Sequence, residues 1–260
     1  MANFNIEFFS NELRRPVSFK MFIPNDPNTT FGAPPPSEYG MKTIFLLHGY
    51  TGGADNWLPM DLCLKYNIAV VAPNGENAFW IDGQSSGHNF GKFLTSELVE
   101  YVRKTFGLAK TPEDTYIMGM SMGGFGALHS ALMCPDTFGK AIALSPALII
   151  YDVLNMAPGT DNGMGNYEYY TEVFGNLTKV DKTDNNPEVL VDKLLSEGKA
   201  LPELYVAIGT EDFLLENDRI FKRFMDSRNV EFTYIEDSGM HDMDFWNKYA
   251  RVFLTQIFEG

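Results

Sequence analysis

Cysteine is nearly absent from this chain: Cys63 and Cys134 are the only two in 260 residues. They are far apart and neither belongs to a C-x-x-C pair, which excludes a disulfide framework and a zinc-finger site. Both lie in apolar, helix-like surroundings and read as buried thiols. Positive charge is also scarce, with 20 Lys and Arg against 34 Asp and Glu, a net charge of −14. That balance excludes a surface that tracks a nucleic-acid backbone or docks on anionic lipid. No apolar run approaches the length of a membrane span. The N-terminus has no basic region, apolar stretch or small-residue cleavage site of a signal peptide. The expected compartment is the cytoplasm, although a secreted chain already freed of its signal would read the same.

What is present is ordinary for a globular protein with a sizeable core, with 45% apolar and 21% charged residues. The length suits one large domain or two small ones. Aromatics reach 14%; they could fill a core or line a pocket, and composition does not separate the two.

Along the chain, Asn3–Phe9 and Pro16–Ile23 read as two strands joined by a polar turn. Residues 24–40, with three consecutive prolines, read as an exposed loop. Strands are then expected at Thr43–Leu47, Ile68–Ala72, Thr115–Met118, Lys140–Leu144, Leu204–Ile208 and Glu231–Ile235. Helices are expected at Phe93–Phe106, Phe125–Met133, Phe213–Met225 and Phe245–Phe258. Strands alternating with helices imply an α/β fold with a mostly parallel sheet covered on both faces. Residues 146–201 interrupt the alternation with a stretch rich in glycine and asparagine, followed by Tyr167, Tyr169 and Tyr170. Such an insertion either caps an active site or decorates the surface. The reading is one domain over residues 1–260 with this cap-like insertion.

Gly119-Met120-Ser121-Met122-Gly123 sits between an expected strand and an expected helix. A Gly-x-Ser-x-Gly in that setting is a nucleophile elbow, whose tight turn lifts the serine hydroxyl clear of the sheet. A serine hydroxyl needs a base within hydrogen-bond reach, and the chain has four histidines. His129 is two turns along the elbow helix and points away. His48 belongs to the Leu47-His48-Gly49 strand exit, where bracing the loop is its expected task. His88 lies in a glycine-rich loop that no strand end fixes. His241, after the last strand, fits the chain order serine, acid, histidine. For the acid, Asp212 in Gly209-Thr210-Glu211-Asp212 follows the preceding strand, with Glu211 and Asp237 as alternatives. Donors for a developing oxyanion are expected at the backbone N–H of Met122 and of Tyr50. Gly49, Trp57 and Trp80 are candidate substrate-binding residues.

Together these motifs resemble the putative-esterase family of α/β-hydrolases, which includes esterase D (S-formylglutathione hydrolase), tributyrin, acetylxylan and feruloyl esterases, and mycolyltransferases. Leu46-Leu47-His48-Gly49, Gly119 to Gly124, Gly209 to Asp212, Gly239-Met240-His241 and Phe245-Trp246 carry the resemblance. It implies an α/β-hydrolase fold and a serine carboxylesterase that cleaves short-chain, acetyl or aromatic (feruloyl) esters of small molecules or saccharides. It implies no metal or organic cofactor, and small esterases of this type often associate into homo-oligomers. The alternatives are an S-formylglutathione hydrolase-like thioesterase, from which His48-Gly49-Tyr50 departs where those enzymes typically read Ser-Gly-Leu, and an acyltransferase using the same triad.

Overall fold

A computed structural model describes residues 2–24 and 38–260. The loop expected over 24–40 lies mostly outside the described residues. The eight strands are β1 (Ala2–Ser10), β2 (Arg15–Ile23), β3 (Lys42–Leu47), β4 (Ile68–Pro73), β5 (Thr115–Met120), β6 (Lys140–Leu144), β7 (Glu203–Gly209) and β8 (Thr233–Asp237). They form one sheet in the order β1-β2-β4-β3-β5-β6-β7-β8. β1 pairs antiparallel with β2 and β2 antiparallel with β4, and every later pairing is parallel. The mostly parallel sheet expected from the strand–helix alternation is therefore present, in the architecture of an α/β-hydrolase.

The central strands are buried along their whole length, as continuous apolar runs covered on both faces should be. Successive side chains of a strand point to opposite faces. Phe45 and Leu47 join a core with Val102, Phe125, Leu128, Val191 and Phe221 on one side. Ile44 and Leu46 join a second core with Leu62, Tyr249 and Phe253 on the other. The helices Val99–Phe106, Met122–Met133, Pro187–Ser196 and Leu215–Ser227 thus cover one face, and Met60–Lys65 and Met243–Glu259 the other.

Several boundaries move from the expected ones for local reasons. The elbow helix begins at Met122, not Phe125. Gly123 and Gly124 look like helix breakers in sequence, but they are there for close packing: a Cβ on Gly123 would overlap the carbonyls of Leu47 and His48. The helix after β7 begins at Leu215, because residues 210–214 form a turn in which Leu214 N–H donates to Asp212 Oδ1 at 2.9 Å. Among the helices of the insertion that the sequence reading left out are Tyr167–Phe174 and Pro187–Ser196. In each, an asparagine N-cap accepts a backbone N–H: Asn166 from Tyr169 and Asn186 from Glu188, with Pro187 at the first helical position.

Candidate active site

All the chemistry-bearing residues leave the sheet at the carboxyl ends of its parallel strands, where open α/β sheets bind ligands. β3 ends just before His48, β5 just before Ser121, β7 before Asp212 and β8 before His241. Ser121 adopts φ 54° and ψ −121°, a left-handed conformation costly for a residue with a side chain. The surroundings impose it. The serine carbonyl accepts from Phe125 N–H at 3.0 Å and Ala147 N–H at 2.9 Å, and its own N–H donates to Leu144 O at 2.8 Å. A Cβ on Gly119 would overlap the backbone of Gly123, so glycine is required on both sides of the serine.

His241 Nδ1 lies 2.8 Å from Asp212 Oδ2. Asp212 Oδ1 accepts the Leu214 N–H, so both carboxylate oxygens are engaged. Two aromatic rings lie close to the imidazole. Phe213 is 4.6 Å away, and Trp246 stands edge-on at 4.9 Å. Trp246 Nε1 donates to Ser145 Oγ at 3.0 Å, which fixes the indole. The two other acids face elsewhere. Glu211 accepts from Gly239 N–H, and Asp237 binds Lys248 and Tyr249. The Lys248 ammonium beside Asp237, helped by Tyr249, holds that carboxyl down to about 2.

The remaining histidines are occupied. His129 is buried against Phe125 and donates from Nε2 to Asp184 O at 2.9 Å; burial depresses it to about 4. His88 pairs with Glu172 at 3.0 Å. His48 Nε2 accepts the Gly75 N–H at 2.9 Å, which leaves the proton on Nδ1 to donate to Gly49 O at 2.8 Å. Burial lowers its pKa, consistent with a neutral ring that braces the loop. That loop runs close beside Ser121: a Cβ on Gly49 would stand 3.4 Å from Ser121 Cβ.

A cleft of about 580 Å³ opens over Ser121 and His241. Gly49, Tyr50, Trp57, Met120, Phe213, Trp246 and Met164 contribute to its walls. Of the three candidate substrate-binding residues, Gly49 and Trp57 line this cleft and Trp80 does not. It is fully buried, packed against Gly75 and Gly126, with Nε1 donating to His48 O at 3.3 Å, so it supports the loop from behind. Sequence reasoning missed Met164, Met120, Phe213 and Trp246 as cleft residues. Only Phe213 had a usable signal: between buried Asp212 and buried Leu214, the side chain of the intervening turn residue is turned outward.

A further acid escaped the sequence reading. Asp218 is fully buried, and neither carboxyl oxygen has a hydrogen-bond partner among the described residues. Burial first, then the charges of Asp212 and Glu236, pushes its pKa well above the usual carboxylate range, which favours the neutral form.

Residues 10–249 match the family model described as putative esterase. The acetyl esterase of Caldicellulosiruptor saccharolyticus is 38% identical over 254 residues, covering 96% of this chain and 95% of that protein. Two solved structures from Staphylococcus aureus superpose closely. The fluorophosphonate-binding serine hydrolase FphF has a TM-score of 0.83 at 24% identity, covering 100% of this chain and 99% of its own. The S-formylglutathione hydrolase FrmB has a TM-score of 0.81 at 25% identity, covering 99% of each chain.

Proposed function

The chain belongs to the putative esterase family and is an enzyme; from that premise we propose that it is a serine hydrolase that cleaves short-chain carboxylic esters, acetyl esters first among them, through an acyl-enzyme on Ser121. The observation that carries this reading is the site geometry. Ser121 and His241 share one cleft, and the imidazole is tied to the buried Asp212.

In this reading Ser121 Oγ attacks the acyl carbon while His241 Nε2 takes its proton. Asp212 keeps the Nδ1 proton directed toward itself and stabilises the imidazolium that forms. The backbone N–H groups of Met122 and Tyr50 receive the oxyanion, at positions fixed before substrate arrives, so little reorganisation is needed when charge develops. His241 then protonates the leaving alcohol, and afterwards activates water to release the acid. Every step draws on this chain's own residues. Residues 146–201 act as a cap, since Met164 reaches the cleft and its carbonyl accepts from Tyr50 Oη at 3.0 Å.

The preference for a small acyl group rests on the acetyl esterase relative. Feruloyl esters remain the aromatic alternative, because the cleft carries Trp57, Phe213 and Trp246. The S-formylglutathione hydrolase reading is supported by FrmB.

The test compares kcat/KM on p-nitrophenyl acetate, methyl ferulate and S-formylglutathione for the wild type and Ser121→Ala. Acetate turnover well above the other two, lost in Ser121→Ala with the fold intact, is the expected result. Wild-type rates from Ser121→Ala would refute the assignment of the nucleophile. A dominant thioester rate would move the protein to the glutathione reading.

A further inference from the structure

Phe213 is 63% exposed, unusual for a large aromatic ring. It sits on the two-residue step between Asp212, which is tied to the imidazole, and Leu214, which is sunk in the core. Its ring lies 4.6 Å from the His241 imidazole at 50° and forms part of the cleft wall. The other ring beside the imidazole, Trp246, is nearly buried and committed through Nε1 to Ser145. Of the two rings beside the base, Phe213 is the one whose face is available to a ligand.

The direction of proton transfer says which part of a substrate meets it. In acylation the Ser121 Oγ–acyl carbon bond forms and the acyl carbon–alcohol oxygen bond breaks. The serine proton passes to His241 Nε2 and from there to the departing oxygen. That oxygen must therefore lie against the imidazole, and the group it carries must leave past whatever flanks the imidazole. We infer that Phe213 is a specificity-determining residue for the leaving alcohol, providing a stacking face for alcohols that carry a ring next to the ester oxygen. This rests on the esterase reading of Ser121, Asp212 and His241. Both an aryl ring and the C–H face of a saturated ring present the required chemistry, since either packs on an exposed aromatic surface.

Acetates of benzyl alcohol, cyclohexylmethanol and ethanol deliver the same acyl group with alkanol leaving groups, so they differ mainly in the ring. Phe213→Ala is expected to lower kcat/KM for benzyl acetate about fivefold while ethyl acetate changes less than about twofold. The hydrolysis rate of the acetyl-enzyme should not change, because the alcohol has already gone. Phe213→Tyr should restore the preference. A matching fall with cyclohexylmethyl acetate assigns the site to ring faces in general, and a fall confined to benzyl acetate assigns it to aryl alcohols. Equal losses on all three esters, or slowed acetyl-enzyme hydrolysis, would mean that Phe213 acts only through the imidazole and would overturn the inference. No change on any ester would overturn it as well. Failure of the underlying triad reading would show separately, as turnover surviving in Ser121→Ala.

Discussion

Asp212 Oδ2 stands 2.8 Å from His241 Nδ1, with the carboxylate side chain fully withdrawn from solvent and the imidazole partly exposed. A charge-assisted hydrogen bond in such a site is strong, because water does not compete for the acceptor. Asp212→Asn keeps the shape but offers an amide where an acceptor is needed, and so favours the wrong tautomer of His241. Turnover should fall by ~10⁴-fold with KM nearly unchanged. Steady-state kinetics on p-nitrophenyl acetate check this, and a loss below tenfold would point to Glu211 or Asp237 as the orienting acid.

The elbow leaves no room for a methyl group. Gly123→Ala would drive a Cβ into the Leu47 and His48 carbonyls, and Gly119→Ala into the backbone of Gly123. Neither neighbour can rotate away, since both are main chain. Each variant should lose about 3 kcal/mol or more, seen as a large drop in Tm or in the denaturant midpoint. Gly53→Ala, where a Cβ meets nothing within 4 Å, should be close to neutral and serves as the control.

Burial depresses His129 to about 4 from an ordinary value of about 6.5. The unfolded chain therefore binds a proton that the native state refuses. Stability is unaffected by this group above the unfolded value and falls as pH drops from about 6.5 toward 4, by up to about 1.4 kcal/mol per pH unit. Denaturant unfolding at pH 7.5 and 5 should reveal the loss. His129→Gln, which retains a donor for Asp184 O, should flatten that part of the profile while lowering stability at neutral pH.

Tyr50 joins two regions of the site, since its hydroxyl holds the Met164 carbonyl at 3.0 Å while its backbone N–H is the proposed oxyanion donor. Tyr50→Phe removes only the first. A single hydrogen bond near solvent is modest in value, so KM should rise by no more than about fivefold and kcat should hold. A fall in kcat of a hundredfold would place the hydroxyl itself in the chemistry.

The sequence made the framework legible because parallel strands buried on both faces produce continuous apolar runs, and because the elbow, Asp212 and His241 each lie just past one of those runs. The elimination among histidines has a counterpart in their surroundings. The structure ties His48, His88 and His129 to other partners and leaves His241 beside Asp212. The rest depended on long-range packing. Trp80 and Trp57 look alike in sequence, yet the first is sealed behind the His48 loop and the second lines the cleft. Nothing local separates them. Met164 is brought to the cleft by the path of an insertion whose conformation no short-range pattern dictates. Asp218 looks like any acid in the first turn of a helix, where exposure is the rule, and only the assembled packing reveals that it is buried.

The overlap that a Cβ on Gly123 would create with Leu47 and His48 has a consequence for how this enzyme could diversify. The turn that carries Ser121 and the loop after β3 touch backbone to backbone, so neither can be displaced without dragging the other. Variation in that hub is mechanically forbidden, and altered substrate preference has to enter at the periphery, where Phe213 and Met164 project from a turn and an insertion that the sheet does not constrain. The scaffold behaves as a fixed anvil with an exchangeable jaw.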